Sequence, residues 1–79
     1  MSLLADAARR FNAELLNMVN KEVRVTTSTG TTYQGMLVGI DNSLNVMLVD
    51  AVNNKNERFS RVLIMSHAIV DIVLVQEFV

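Results

Sequence analysis

The polar residues that could do chemistry are few, and they cluster in two short segments. The first segment carries Asp41, Ser43 and Asn45, and the second carries Ser66 and His67. Asp and Asn at this spacing favour tight turns, because their side chains bond to nearby backbone groups. A single histidine in a chain without cysteine cannot build a metal site unaided. With no nucleophile–base pair and no glycine-rich phosphate loop, the sequence predicts a protein that is not an enzyme and holds no cofactor.

The composition limits the architecture that must position these segments. The chain has 79 residues, of which 51% are hydrophobic, and its net charge is −1. We predict one domain over residues 1–79, with a helix at about 3–18 and a β-barrel at about 22–76. A chain this short buries only about 60% of its unfolded surface, so we expect self-association to stabilise it. The net charge gives no overall attraction for nucleic acid, so any RNA site must be local.

The sequence shows neither a transmembrane segment nor a signal peptide, and this bears on the cellular location of the protein. No apolar run reaches the ~20 residues needed to span a bilayer. The first residues lack the charged-then-apolar layout of a signal peptide. We therefore expect a cytoplasmic protein with no membrane partner, and the absence of cysteine is compatible with that compartment.

The first segment has the period of an amphipathic helix. Ser2 is a candidate N-cap, and Asn17 or Asn20 is a candidate end, because asparagine tolerates the left-handed conformation. We expect this helix to cover an open end of the barrel, the alternative being a membrane or partner helix. Apolar residues recur at intervals of three and four, at Leu4, Ala8, Phe11, Leu15 and Met18.

From Glu22 onward the apolar period falls to two, which is typical of strands. Gly35 and Gly39 interrupt the second strand and predict a sharp bend. Leu44, Val46 and Leu48 are expected on one face of the third strand. The fold class is therefore mostly β, with an N-terminal α-helix before a strongly bent, five-stranded antiparallel SH3-like barrel. The predicted strands are Glu22–Thr26, Thr31–Ile40, Leu44–Ala51, Phe59–Met65 and Ile69–Val75.

The last two predicted strands are apolar on both faces. In a small antiparallel domain one face should be wet, so we expect a neighbouring subunit to cover these strands. Pairing of strand edges between subunits would also remove the aggregation hazard of an open edge. The predicted subunit interface comprises Val62, Leu63, Ile64, Met65, Ile69, Val70, Ile72 and Val73.

Nearly the whole chain, from the helix to Val75, resembles the Sm/Lsm family. The resemblance implies an Sm-type barrel that assembles into a closed ring of identical subunits, and we expect five to seven of them. It also implies that the fourth strand pairs with the fifth strand of the next subunit, and that the loops after the second and fourth strands line a pore. In related rings these loops bind single-stranded, often uridine-rich RNA. The family's first motif is matched by Val23, Val25, Gly30, Tyr33, Gly35, Leu37, Asp41, Asn45 and the pair Asp50–Ala51.

The resemblance assigns a base-binding role to parts of these loops. Asn45 matches the amide that reads the base edge, and Asp41 matches the carboxylate that holds this amide. Ser43 stands where relatives carry a stacking aromatic or histidine, and base stacking is worth ~1–3 kcal/mol. Met65 and Ser66 stand where archaeal and eukaryotic relatives have Arg-Gly. The pocket therefore departs from the family pattern at three positions.

The link between the last two strands resembles the bacterial branch of the family. Its residues Ser66-His67-Ala68-Ile69 are similar to a Lys-His-Ala-Ile segment whose histidine helps to bind uridine. Here serine replaces the lysine, so the resemblance carries over only in part. An ordinary turn residue is the alternative interpretation of His67.

The remaining cations are scattered. Arg9 and Arg10 on the predicted helix are candidate phosphate contacts, although two exposed arginines also fit a solvated face. Arg58 and Arg61 suit an intersubunit ion pair or a site at the rim of the ring. Lys21 and Arg24 are expected at ordinary exposed positions.

Two functions follow from this pattern. The first is a homo-oligomeric ring that binds single-stranded, uridine-rich RNA as a chaperone or scaffold in a ribonucleoprotein. The second is a structural ring whose RNA pocket has degraded and which scaffolds a protein partner, as Ser43, Met65 and Ser66 suggest. An isolated peptide-binding barrel is disfavoured because one tyrosine and no tryptophan are too few aromatics for a proline-recognising groove.

Overall fold

A computed structural model describes residues 16–75 of the chain. All strands pair antiparallel in one sheet of order β4-β3-β2-β1-β5. The predicted mostly β fold with five antiparallel strands is therefore confirmed. The elements are β1 (Glu22–Thr27), β2 (Thr32–Ile40), β3 (Val46–Asn53), β4 (Arg58–Ile64), a 3₁₀ turn (Ser66–Ala68) and β5 (Ile69–Leu74).

The sheet is open within the protomer, so the predicted barrel is confirmed only in part: its five antiparallel strands form one sheet that does not close. β4 and β5 lie at opposite edges, and within residues 16–75 they do not pair with each other. The reason lies in the link between them, which is a single 3₁₀ turn and not a hairpin loop. β5 therefore pairs with β1 instead. The Ser28 N–H donates to the Ala68 carbonyl at 2.8 Å and holds the link against the β1–β2 turn.

The bend predicted at the glycines of the second strand coincides with irregular pairing. The register of β2 against β3 shifts between Gln34 and Met36 and again between Leu37 and Gly39. A Cβ at Gly35 would lie 2.8 Å from the Val49 carbonyl oxygen, so glycine allows the strands to approach here. Asp50 is the extra residue of β3 at the first shift, and it takes a left-handed φ of 52°.

The core is built from alternate residues of the strands. Val23 and Val25 are fully buried, whereas Arg24 between them is exposed. Burying a side chain of this size stabilises the fold by roughly 1.5–3 kcal/mol. The core residues are Val23, Val25, Leu37, Val46, Leu48, Ala51, Ile64 and Ile72.

The predicted helix is described only at its end. Residues 16–18 are helical, and Asn20 follows with a φ of 70°, which agrees with its predicted role in ending the helix. Met18 and Val19 pack against the core. The rest of the predicted helix, from Ser2 to Leu15, lies outside the described residues, as does the predicted last barrel residue at 76. In the part of the chain that is described, no helix is long and apolar enough to cross a membrane.

The third strand starts later than predicted, at Val46. Leu44 belongs to the β2–β3 loop, where its φ is 65°, so it does not extend the strand face of Val46 and Leu48. The same strand continues to Asn53, beyond the predicted end at Ala51. Both differences follow from the hairpin loops on either side of β3. The loop before it includes Leu44 and closes at Asn45, and the loop after it begins only at Asn53.

Candidate nucleic-acid interface

Three hairpin loops of the sheet share one backbone frame. In each loop the N–H of the first residue donates to the carbonyl of the fifth, and the N–H of the fourth donates to the carbonyl of the first. The fourth residue has a positive φ, and it is Gly30 (88°), Leu44 (65°) or Asn56 (65°). This geometry is that of a three-residue hairpin loop in which a type I turn precedes a left-handed residue. The loops span Thr27–Thr31, Asp41–Asn45 and Asn53–Glu57.

The β2–β3 loop is closed further by the side chain of Asp41. Its Oδ1 accepts hydrogen bonds from the backbone N–H groups of Ser43 and Asn45, both at 2.9 Å. Its Oδ2 accepts the side-chain Nδ2–H of Asn45, also at 2.9 Å. A carboxylate with three such donors is held in one orientation, and it holds Asn45 in turn.

These bonds also fix the charge of Asp41. The pKa of its carboxyl lies below the ordinary value of 3.8, chiefly because the Asn45 side chain donates to the ionised form, and then because the backbone N–H groups of Asn45 and Ser43 do so. Asp41 is therefore an anion in the neutral range, and it acts only as an acceptor.

The third hairpin shows that such a pair is, by itself, ordinary turn chemistry. Asn53 Oδ1 accepts the backbone N–H groups of Lys55 and Glu57, both at 2.9 Å. Its Nδ2 donates to Glu57 Oε1 at 2.7 Å. The amide and the carboxylate have only exchanged places relative to Asp41 and Asn45. A functional role for the β2–β3 loop thus needs a feature that the other hairpin lacks.

That feature is a bond from Asn45 to the β4–β5 link. Asn45 Oδ1 accepts the backbone N–H of Ser66 at 2.7 Å, across 21 residues of sequence. The structure therefore brings together three of the predicted site residues from two loops, Asp41, Asn45 and Ser66. A primary amide has two N–H donors and an oxygen with two lone pairs. Asn45 uses one of each inside the protein, which leaves one donor and one lone pair for a ligand.

A shallow cleft lies beside this amide. Its polar side is formed by Asp41 and Asn45, and its apolar side includes Met47 and Leu63. Such a surface can receive a flat, partly apolar group with a donor and an acceptor on one edge. The lining residues are Gly39, Ile40, Asp41, Asn45, Met47 and Leu63.

The other predicted site residues surround this centre less closely. Ser43 is exposed and is joined to Asp41 through its backbone N–H. Met65 is 44% exposed and directly precedes the 3₁₀ turn, in which His67 is also exposed. Arg9 and Arg10 lie outside the residues that the structure describes.

Sequence reasoning did not assign four of the cleft residues to the site, and it predicted one of them, Leu63, only for the subunit interface; the four are Gly39, Ile40, Met47 and Leu63. Met47 could have been found, because it alternates with Val46 and Leu48 and so points away from the core. No sequence signal predicts the left-handed backbone of Leu44 in the β2–β3 loop, since leucine rarely takes a positive φ. The apolar alternation of Leu44, Val46 and Leu48 instead predicts that β3 begins at Leu44, two residues before its observed start at Val46.

The predicted subunit interface separates into buried and exposed residues. Ile64 and Ile72 are only 5% and 6% exposed, so they belong to the core of the protomer itself. Leu63 and Met65 near one sheet edge are 54% and 44% exposed, and Val70 at the other edge is 65% exposed. Val73 is partly exposed at 39%, and Val62 and Ile69 are half-buried against the core. The apolar surface expected at both edges is thus present in the protomer.

The two arginines of β4 are both available at the surface. Arg58 and Arg61 are exposed, and neither makes an ion pair with any residue between 16 and 75. Arg58 also lines a second cleft, at the opposite end of β4 from the Asn45 loop, together with Asp50 and Phe59. The ring of Phe59 lies 5.9 Å from that of Tyr33 at an angle of 56°.

The sequence and the fold are both similar to known proteins. The LSM domain family matches residues 13–74 of the chain. A novel Sm-like archaeal protein from Pyrobaculum aerophilum is 42% identical over 85% of this chain, with a TM-score of 0.78. The alignment covers 52% of that protein, so the chain spans about half of its length. No curated protein is significantly similar to the chain.

Two further structures resemble the chain over most of their own length. The Pyrococcus abyssii Sm protein, solved in complex with a uridine heptamer, is 27% identical over 78% of this chain and 93% of its own, with a TM-score of 0.72. A heptameric archaeal Sm protein is 22% identical over 81% of this chain and 98% of its own, with a TM-score of 0.73. At that lower identity the likeness shows the fold alone.

Proposed function

The chain belongs to the LSM domain family, and from that premise we propose that it is a subunit of a homo-oligomeric Sm-like ring that binds single-stranded, uridine-rich RNA at its central pore. The observation that carries this proposal is the clamped amide of Asn45. Its Oδ1 and Nδ2 bridge Ser66 and Asp41 and still leave one donor and one acceptor for a base. We place this activity in the cytoplasm, in a chaperone or scaffold role without chemistry.

Uracil suits the groups that remain free on Asn45. One edge of the base presents a carbonyl oxygen next to an N–H, which complements one amide N–H and one amide lone pair. The clamp fixes the direction of both groups before RNA arrives, so little side-chain entropy is lost on binding. The Pyrococcus abyssii Sm protein that binds a uridine heptamer supports this choice of base.

The apolar side of the cleft compensates in part for the missing stacking residue. Ser43 offers no flat surface, but Met47 and Leu63 flank the Asn45 amide. A base lying against them would exclude water from its hydrogen bonds, which strengthens those bonds. We expect weaker binding than in a pocket with an aromatic platform, where stacking contributes ~1–3 kcal/mol per base.

The ring part of the proposal is supported by the two open edges. β4 and β5 each have one strand partner within residues 16–75, and each carries exposed apolar residues. Pairing β4 of one subunit with β5 of the next would satisfy both edges at once. Because the two paired edges are different, the contact is heterologous and forms a ring when the rotation closes. We propose five to seven subunits.

A titration tests the RNA part directly. Fluorescein-labelled oligo-U, with oligo-A as the comparison, is titrated with the protein at low and at moderate salt. We expect saturable binding that prefers oligo-U and weakens as salt rises. Failure of oligo-U to bind at low salt would contradict the proposal.

The second candidate is a structural ring that scaffolds a protein partner. It is favoured by Ser43, Met65 and Ser66, which replace the platform and the Arg-Gly pair of relatives. This candidate predicts an intact oligomer that does not bind oligo-U. The titration therefore decides between the two functions once the oligomer has been demonstrated.

A further inference from the structure

The fourth residue of the β2–β3 loop is unlike its counterparts. All three hairpins place this residue in the left-handed region, where Gly30 and Asn56 are well tolerated. Leu44 takes the same conformation with a φ of 65°. A leucine in this region is strained, because its Cβ crowds the following carbonyl oxygen.

Loop closure does not require a leucine. The backbone bonds of the loop match those of the other two hairpins, with Leu44 N–H to Asp41 carbonyl at 3.0 Å and Asp41 N–H to Asn45 carbonyl at 3.1 Å. Glycine and asparagine form the same frame elsewhere in the chain without that strain. The leucine must therefore contribute something that the loop alone does not need.

What the leucine adds is an anchor. Leu44 is partly buried and packs against the core, whereas Gly30 and Asn56 are exposed at the tips of their loops. Leu44 immediately precedes Asn45, whose amide must reach Asp41 on one side and Ser66 on the other. Pinning the preceding residue to the core limits the directions that Asn45 can take.

We propose that Leu44 is a positioning residue, whose strained and core-anchored backbone aims the Asn45 amide between the two loops and toward the base. The inference rests on the proposed RNA-binding function but makes a separate claim about how the site is held. Strained residues persist where the surrounding structure over-determines them, and they cluster at functional sites. Leu44 itself needs no contact with RNA.

The test uses Leu44→Asn, which keeps a residue suited to the left-handed region but removes the anchor. Leu44→Met retains an apolar side chain of similar volume, and Asn56→Gly is the matched change in a hairpin that carries no site. Amide hydrogen exchange measured by NMR reports the Ser66 N–H, whose partner is Asn45 Oδ1. Exchange at Val25 and Leu48 in the core strands controls for global stability.

We expect Leu44→Asn to speed Ser66 exchange relative to the core amides by roughly tenfold. The affinity for oligo-U should fall by a similar factor, while Leu44→Met and Asn56→Gly match the wild type in both measurements. Wild-type rates of Ser66 exchange in Leu44→Asn would overturn the inference, and so would equal effects in Asn56→Gly. If the wild type fails to bind oligo-U, the proposed function is wrong, and the exchange data still decide the role of Leu44.

Discussion

Among single residues, Asn45 carries the largest share of the proposed activity. It is the only side chain within residues 16–75 with a hydrogen bond into the β4–β5 link. Asn45→Ala removes both the groups offered to the base and the acceptor of the Ser66 N–H. We expect the dissociation constant for oligo-U to rise roughly ten- to a hundredfold, measured by fluorescence anisotropy.

A matched change keeps this experiment specific. Asn54→Ala also removes an asparagine that bonds to another loop, since Asn54 Nδ2 donates to the Gly30 carbonyl at 3.2 Å. That bond lies in a different part of the sheet, so Asn54→Ala should leave RNA binding unchanged. Equal losses in both variants would mean that Asn45 acts only through stability.

The third hairpin supplies a second test at this scale. The double change Asp41→Asn with Asn45→Glu copies the pair formed by Asn53 and Glu57, whose side chains meet at 2.7 Å. The loop should stay closed, and the new carboxylate can still accept the Ser66 N–H. It offers no donor to a base, so we predict normal unfolding in urea with loss of oligo-U binding. Retained binding would refute the role of the Asn45 N–H.

The pH dependence of stability follows from Asp41. Hydrogen bonds from Asn45 and Ser43 lower the pKa of its carboxyl below 3.8 in the folded protein. Its contribution to the free energy of unfolding is therefore present above pH 3.8 and is lost as the pH falls through the lower, folded pKa. Urea unfolding between pH 6 and pH 2.5 should show a steeper acid loss for the wild type than for Asp41→Asn. Parallel curves would contradict this assignment.

Among the elements, the close approach of β2 and β3 is set by Gly35. An added Cβ would lie 2.8 Å from the Val49 carbonyl oxygen and 2.9 Å from Ala51 Cα, and backbone atoms cannot move aside easily. We predict that Gly35→Ala lowers the free energy of unfolding by about 1–3 kcal/mol. Gly39→Ala is the control, because its Cβ would meet only Met47 Cβ at 3.9 Å. Equal unfolding midpoints for the two variants would show that the approach is not tight.

The strands themselves were largely predictable, because a period of two and a glycine-marked bend are local properties of the sequence. The predicted bounds of β1, β2, β4 and β5 lie within one residue of those in the structure, whereas β3 is predicted two residues early because Leu44 looks like the first of three alternating apolar residues. Asp41 and Asn45 were identified through the family resemblance. The Asn45 bond to Ser66 could not be foreseen, since the donor is a backbone N–H and carries no side-chain signal.

In the whole molecule, the feature that most needs a partner is the pair of open edges. The order β4-β3-β2-β1-β5 leaves exposed apolar residues at both ends of the sheet, and Val70 on β5 is 65% exposed. The sequence predicts two-sided apolar strands within a bent barrel, and the family resemblance implies that the fourth strand pairs with the fifth strand of the next subunit. Closure depends on where the 3₁₀ link directs β5, which residue patterning does not specify.

Val70→Lys tests whether the β5 edge forms the contact between subunits. A lysine here would bury an unpaired charge between subunits, which costs several kcal/mol. We expect the subunit dissociation constant to rise roughly a hundredfold or more in sedimentation velocity. Met36→Lys is the control, because Met36 is 43% exposed on β2, which has strand partners on both sides. Equal dissociation in the two variants would show that the β5 edge does not form the subunit contact.

We propose that the protomer completes its sheet by pairing with copies of itself. Native mass spectrometry of the full chain at micromolar concentration, in volatile buffer near neutral pH, measures this directly. We expect one discrete closed oligomer of five to seven subunits. A stable, folded monomer at the same concentration would contradict it, and the shared pore would be lost with the ring.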